Sequence, residues 1–226
     1  MPISITLRGG GPDSAGAVAA VEESFAILRE VDTVFSTHRP ESEISRLRRG
    51  ELDLAGACPQ VREVLELCAL ATELTDGWFS ALLPAPDGER VLDPTGLVKG
   101  WAMERACRPL ARLDGLDYCL NAGGDIAVGG TVGGIWRLGI EDPRDRTRVG
   151  HVVVLARGGM ATSGTAARGA HLVDPATGER VTRAGSVTVV GPSPMWADVW
   201  ATALFVAPAD LAHRLPAGDG YSVIRL

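Results

Sequence analysis

With 226 residues, 46% of them hydrophobic, the chain is long enough to bury one substantial core and short for two, so a single domain over residues 1–226 is expected. A net charge of −6 without a run or stripe of Lys and Arg excludes a nucleic-acid-binding class, because that affinity comes from clustered cations. The segment Met1-Pro2-Ile3-Ser4-Ile5-Thr6-Leu7-Arg8-Gly9 lacks a basic stretch followed by a long apolar run, and no later stretch is long enough to span a bilayer, which points to a cytoplasmic protein without a transmembrane segment.

In chain order, residues 3–7 alternate apolar and polar as a short strand, ended by the Gly9-Gly10-Gly11-Pro12 run. Val18, Val21, Phe25, Leu28, Val31 and Phe35 then recur at steps of three and four, the signature of one buried helix face. A polar loop over residues 39–47 opens into a short helical turn. A second helix runs from Pro59, placed as a first helical residue, to Leu74, with Asp76-Gly77 as its stop. A third is expected after Gly100, kinked or ended by Pro109. Short β-rich runs follow at residues 118–120, 135–140, 151–155, 172–173, 187–190 and 221–224, interrupted by a last helix over 195–206. The 28 glycines and 14 prolines suit such a mixed α and β chain. Four cysteines without C-x-x-C spacing read as reduced thiols rather than as a zinc site or disulfide framework.

The last helix carries the sharpest anomaly. Ser193 and Pro194 supply its N-cap and first position, so Asp198 is not needed as a cap, and nearly every other residue is apolar. Asp198 and Thr202, four apart, share a face and together offer oxygens suited to a hard cation. The alternative is an exposed Asp with Thr202 bonded back to the helix carbonyl. In Asp93-Pro94-Thr95-Gly96-Leu97-Val98-Lys99-Gly100, a Gly-bearing turn leading into a helix suits an anion, with Lys99 as its positive charge; an ordinary Asp-Pro turn with a solvated lysine has the same sequence. Asn121-Ala122-Gly123-Gly124-Asp125 and Ala161-Thr162-Ser163-Gly164 each follow a strand and taken singly read as tight turns, with a ligand cradle as the alternative. His171 opens a short strand, as a structural imidazole or a general base.

Taken in order, these segments resemble the ApbE family of Mg2+-dependent FAD:protein FMN transferases. Residues 35–47 are similar to its serine-rich loop, Asp93 through Gly100 to its D-x-x-G-x-x-K-G segment, and residues 121–125 to its N-A-G-G-D turn. Residues 161–164 match A-T-S-G, residues 171–178 match H-x-x-D-P-x-T-G, and residues 197–202 match A-D-x-x-A-T. The resemblance implies an α+β fold, its β-sheets flanked by helices and a ligand cleft between two lobes. It implies a metal held by Asp198, Thr202 and the Gly96 carbonyl, Mg2+ with Ca2+ or Mn2+ as alternatives. It also places His38, Trp78, Phe79, Ser80, Asp93, Lys99 and the Val173 backbone at FAD, and His171 at the transfer step. The partner it implies is an acceptor flavoprotein with a target Thr or Ser; FAD hydrolysis and non-catalytic flavin binding are the alternatives. The family's Met-Gly-Thr element has no counterpart in residues 3–7, and His38 and Ser80 stand where an aromatic residue and an Asp are common.

Overall fold

The computed structural model describes residues 1–226 other than Pro12, Pro86, Asp87, Ala167, Arg168, Ala170, His171, Pro216, Ala217 and Gly218, together with all side chains of the remainder except those of Ala209 and Asp210. Strand β1 (Ile3–Gly9) leads to helices α1 (Ala15–Phe35), α2 (Glu43–Arg48) and α3 (Pro59–Leu74). Two short strands, β2 (Leu82–Pro84) and β3 (Arg90–Leu92), pair with each other ahead of α4 (Thr95–Leu110). The strands β4 (Leu116–Ala122), β5 (Asp125–Gly130), β6 (Trp136–Asp142), β7 (Asp145–Leu155), β8 (Gly158–Gly164) and β9 (Ser186–Gly191) follow. Helix α5 (Pro194–Val206), a 3-10 helix (Ala209–Arg214) and β10 (Ser222–Arg225) complete the chain.

One antiparallel sheet in the order β1-β4-β5-β8-β9-β10 forms the frame, and β6 with β7 makes a separate two-stranded ribbon. Strand alternation decides what each sheet face meets. Tyr118, Leu120, Ala127, Ala161, Val187 and Val189 point to the helices, where α1, α4 and α5 cover them. Ile126, Val128, Met160 and Val190 point the other way and pack on Leu138, Ile140 and Val153 of the ribbon. The molecule is therefore three layers: helices, sheet, ribbon.

Most expected elements are present, and the differences are local. Helix α4 begins at Thr95, not after Gly100, because Asp93 Oδ1 accepts hydrogen bonds from the Thr95 N–H (3.1 Å) and hydroxyl (2.6 Å) and so anchors the first turn. Pro109 is the next-to-last residue of α4 and does not kink it, since it is followed by one helical position only. Residues 161–164 are strand rather than turn, paired along their length with β9, while β5 pairs with the earlier part of β8 at residues 158–160. The expected strand at 172–173 reduces to one bridge between Val173 and Arg180, where Asp174 to Gly178 turn back on themselves. Strands β2, β3 and β5 were not anticipated. Burial pushes the Cys68 and Cys107 thiols up to about 12, and all four cysteines are free. No helix among the described residues is long and apolar enough to cross a membrane.

Asp117 ties the loop before β6 to β4. It is 2% exposed, and its carboxylate accepts hydrogen bonds from the backbone N–H groups of Val132, Gly133 and Gly134, with Arg8 alongside. Burial alone would raise its pKa; the three amides and Arg8 more than offset this, so the group lies below the usual carboxylate range. A depressed acid contributes stability that is present at pH above about 4 and is lost as pH falls through the native value. Asp117→Asn should therefore lower the thermal midpoint at pH 7, with the gap to the parent narrowing as both are melted at successively more acidic pH. A gap that is constant down to pH 2 would show that the charge contributes nothing.

Candidate active site

A cleft of about 450 Å3 opens where the first turn of α4, the middle of α5, the β4–β5 turn and the end of the ribbon meet. That volume is ordinary for a small-molecule site. Its walls include Gly96, Lys99, Asp125, Ser163, Asp198 and Thr202, with Glu141, Asp142 and Arg146 of the ribbon at the outer side.

Each charged group arrives there for a local reason. Ser193 Oγ accepts from the Trp196 N–H at 3.1 Å, so the cap of α5 is filled as expected and Asp198 is left for other work. Asp198 is only 3% exposed, which excludes the solvent-facing alternative. Thr202 hydrogen-bonds across to Ser163 Oγ at 3.1 Å, a hydroxyl pair between α5 and β8. In the β4–β5 turn, Gly123 and Gly124 take φ of 65° and 104°, which favours glycine, and Asn121 Oδ1 accepts from the Gly124 N–H at 3.0 Å. That two-residue turn sets Asp125 at the start of β5, on the helical face, where its Oδ1 accepts from the Thr162 N–H at 3.1 Å.

Lys99 joins these carboxylates. Its ammonium lies 3.2 Å from Asp198 Oδ1 and also pairs with Asp125 Oδ2, so it is neither solvated nor part of an isolated turn. Burial alone would lower its pKa, but the charges of Asp198 and Asp125 more than offset this and raise it. The lysine is charged throughout the neutral range. Asp125 and Ser163 fall within the matched N-A-G-G-D and A-T-S-G segments, but neither is singled out there as a site residue; their place in the cleft follows from β5 and β8 lying beside the helices.

Family comparison then fixes the lineage. A profile of the ApbE family matches residues 81–223, more than half of the chain. The chain belongs to the ApbE family. This ApbE-family chain is 30% identical to the FAD:protein FMN transferase of Klebsiella pneumoniae over 145 residues, covering 58% of the chain and 41% of that protein. It is 32% identical to the one of Haemophilus influenzae over the same length, covering 58% and 42%. It thus spans about two fifths of the length of the curated relatives it matches. Its fold matches the crystal structure of the ApbE protein of Thermotoga maritima at a TM-score of 0.80 and 20% identity, over 99% of this chain and 90% of that one. Against the flavin transferase ApbE of Vibrio cholerae the TM-score is 0.73 at 20% identity, over 99% and 97%. The α+β fold expected from the ApbE resemblance is present.

Of the residues singled out in the sequence, Gly96, Lys99, Asp198 and Thr202 come together in the cleft. Asp93 sits just upstream as the anchor of α4 and pairs with Arg48 at 3.3 Å. Phe79 is buried in the core with its ring edge against Gly96, so it supports the turn that carries Gly96. Trp78 is half-buried, Ser80 is bonded to Leu82, and His38 is exposed on the loop after α1. Val173 lies in the bridge to Arg180. His171 lies outside the described residues.

The chemistry of the donors fits a hard divalent cation. Asp198 and Thr202 bring a carboxylate and a hydroxyl to a cleft that Gly96 also lines, oxygen chemistry that suits Mg2+, Ca2+ or Mn2+. No group of three or more His, Cys, Asp and Glu gathers among the described residues, so a thiolate or imidazole cage is not built here.

Proposed function

We propose that this chain transfers FMN from FAD to a threonine or serine hydroxyl of an acceptor protein, with release of AMP. The observation that carries the proposal is the meeting of Gly96, Lys99, Asp198 and Thr202 in one cleft of an ApbE-family chain. The curated relatives named FAD:protein FMN transferases support the same reading. Asp198, Thr202 and the Gly96 carbonyl would hold Mg2+, or Ca2+ or Mn2+. Held there, such an ion would supply Lewis-acid stabilisation of the pyrophosphate charge.

The protein's own groups do the rest. Lys99 sets a positive charge against the pyrophosphate oxygens, with Asp125 as its counter-charge. By the ApbE resemblance, His38, Trp78, Ser80, Asp93 and the Val173 backbone would meet FAD beyond the cleft lining, Phe79 would support the first turn of α4 from the core, and His171 would be the base that takes the acceptor proton. The acceptor oxygen forms a bond to the FMN phosphorus while the bond from that phosphorus to the bridging oxygen breaks, and its electron pair leaves with AMP.

Incubation with FAD, Mg2+ and an acceptor flavoprotein tests this. The acceptor should gain the mass of FMN as AMP appears in equal amount, and EDTA should stop both. AMP without an acceptor would make the chain an FAD pyrophosphatase, and tight FAD binding without AMP under any condition would make it a flavin carrier.

A further inference from the structure

Of the 22 Lys and Arg residues, 21 are arginine; Lys99 is the single lysine of the chain. It stands at the one place in the cleft where an ammonium touches two carboxylates from two different elements, Asp125 of β5 and Asp198 of α5. A guanidinium is a rigid planar fork suited to one bidentate partner, whereas an ammonium is a compact charge with three donors that can be divided. Two of them serve the carboxylates, which leaves one for a ligand. Both carboxylates are 3% exposed, and Asp125 is further fixed by the Thr162 N–H. Two buried like charges facing one cleft destabilise each other unless a cation sits between them.

We propose that Lys99 is a built-in stand-in for the divalent ion, neutralising Asp198 in the metal-free protein, and that Asp125 is the positioning residue that takes the ammonium over when the ion binds Asp198. The inference rests on the metal seat proposed above. One positive and two negative charges leave the trio net negative, which attracts a divalent cation; with the cation seated, the trio is net positive, which suits an anionic pyrophosphate. The metal and the lysine thus share one carboxylate in turn, and Asp125 spares the lysine a move into solvent.

A single lysine makes this observable in the wild-type protein. With 15N-lysine labelling, the flavin-free chain has one side-chain nitrogen to follow, and titration with Mg2+ should shift its resonance saturably. Asp125→Asn should weaken Mn2+ binding, followed by the spectrum of the free ion without flavin, by about tenfold, the scale of one lost close charge. In a Lys99→Met background the same Asp125 change should cost less, and Lys99→Met alone should bind Mn2+ more tightly and melt lower without metal, with Mg2+ restoring the midpoint. A lysine resonance untouched by saturating Mg2+, in protein that still transfers FMN in a Mg2+-dependent way, would overturn the inference. Equal Asp125→Asn penalties with and without Lys99 would overturn it too. A protein that shifts the resonance but never transfers FMN would instead sink the transferase reading and leave the shared seat standing.

Discussion

Asp198→Asn is expected to reduce FMN transfer by about 10²- to 10³-fold, since the positive ion it would anchor is worth several kcal/mol at the transition state and each 1.4 kcal/mol is about tenfold in rate. The substitution keeps the shape of the side chain and removes only its charge. Asp198 occupies a helix whose neighbours Ala197, Val199, Trp200 and Ala201 are all buried, so an amide there keeps the packing. Lys99 retains Asp125 as its counter-charge, so the thermal midpoint should move far less than the rate. Acceptor mass gain and AMP release, measured beside a melting curve, separate the two effects. A variant that transfers within a few-fold of the parent would remove Asp198 from the reaction.

The second large effect is expected at Gly100, which lies where α4 crosses α5. A Cβ there would stand 2.5 Å from Met195 Cα and 3.1 Å from both Met195 N and Pro194 O. All three are backbone atoms, which cannot swing aside as a side chain would. Gly100→Ala gains about 1 kcal/mol of helix propensity but meets an overpacking cost of about 1–3 kcal/mol or more, and the cost wins because the two helices must part. Gly96 and Lys99 ride on one helix, Asp198 and Thr202 on the other. Since a 1 Å misplacement can lower a rate by about 10²-fold, activity should fall with stability. Gly16→Ala, at an exposed position of α1 with nothing within 4 Å of the new methyl, is the control and should be neutral or stabilising. A Gly100→Ala protein as stable and active as the parent would mean that the crossing is looser than the atomic distances imply.

Helix α5 was legible to its ends because Ser193 and Pro194 mark its start by local chemistry, and Asp198 was legible as an anomaly because an isolated carboxylate in an apolar helix calls for a partner. The partner itself was not legible. Lys99 pairs with residues 26 and 99 positions away in the chain, and only the sheet order decides which carboxylates reach it. The start of α4 was missed because Asp93-Pro94-Thr95-Gly96 has turn propensities throughout, and a hydrogen bond from Thr95 to Asp93 tips it to helix. The second half of β8 has the sequence of a turn for a related reason: Ala161, Thr162, Ser163 and Gly164 are small or weak strand formers, and pairing with β9 along their whole length overrides that preference.

The two walls of the cleft differ in how they are held. Asp198 and Thr202 belong to a helix in the middle of the hydrophobic core, while Glu141, Asp142 and Arg146 belong to a ribbon joined to no other sheet. In hydrogen exchange, the amide of Asp198 is expected to open only with the whole protein, and the outer end of the ribbon more readily. Any breathing of the cleft is thereby delegated to one side, and the wall that carries Asp198 and Thr202 stays with the core.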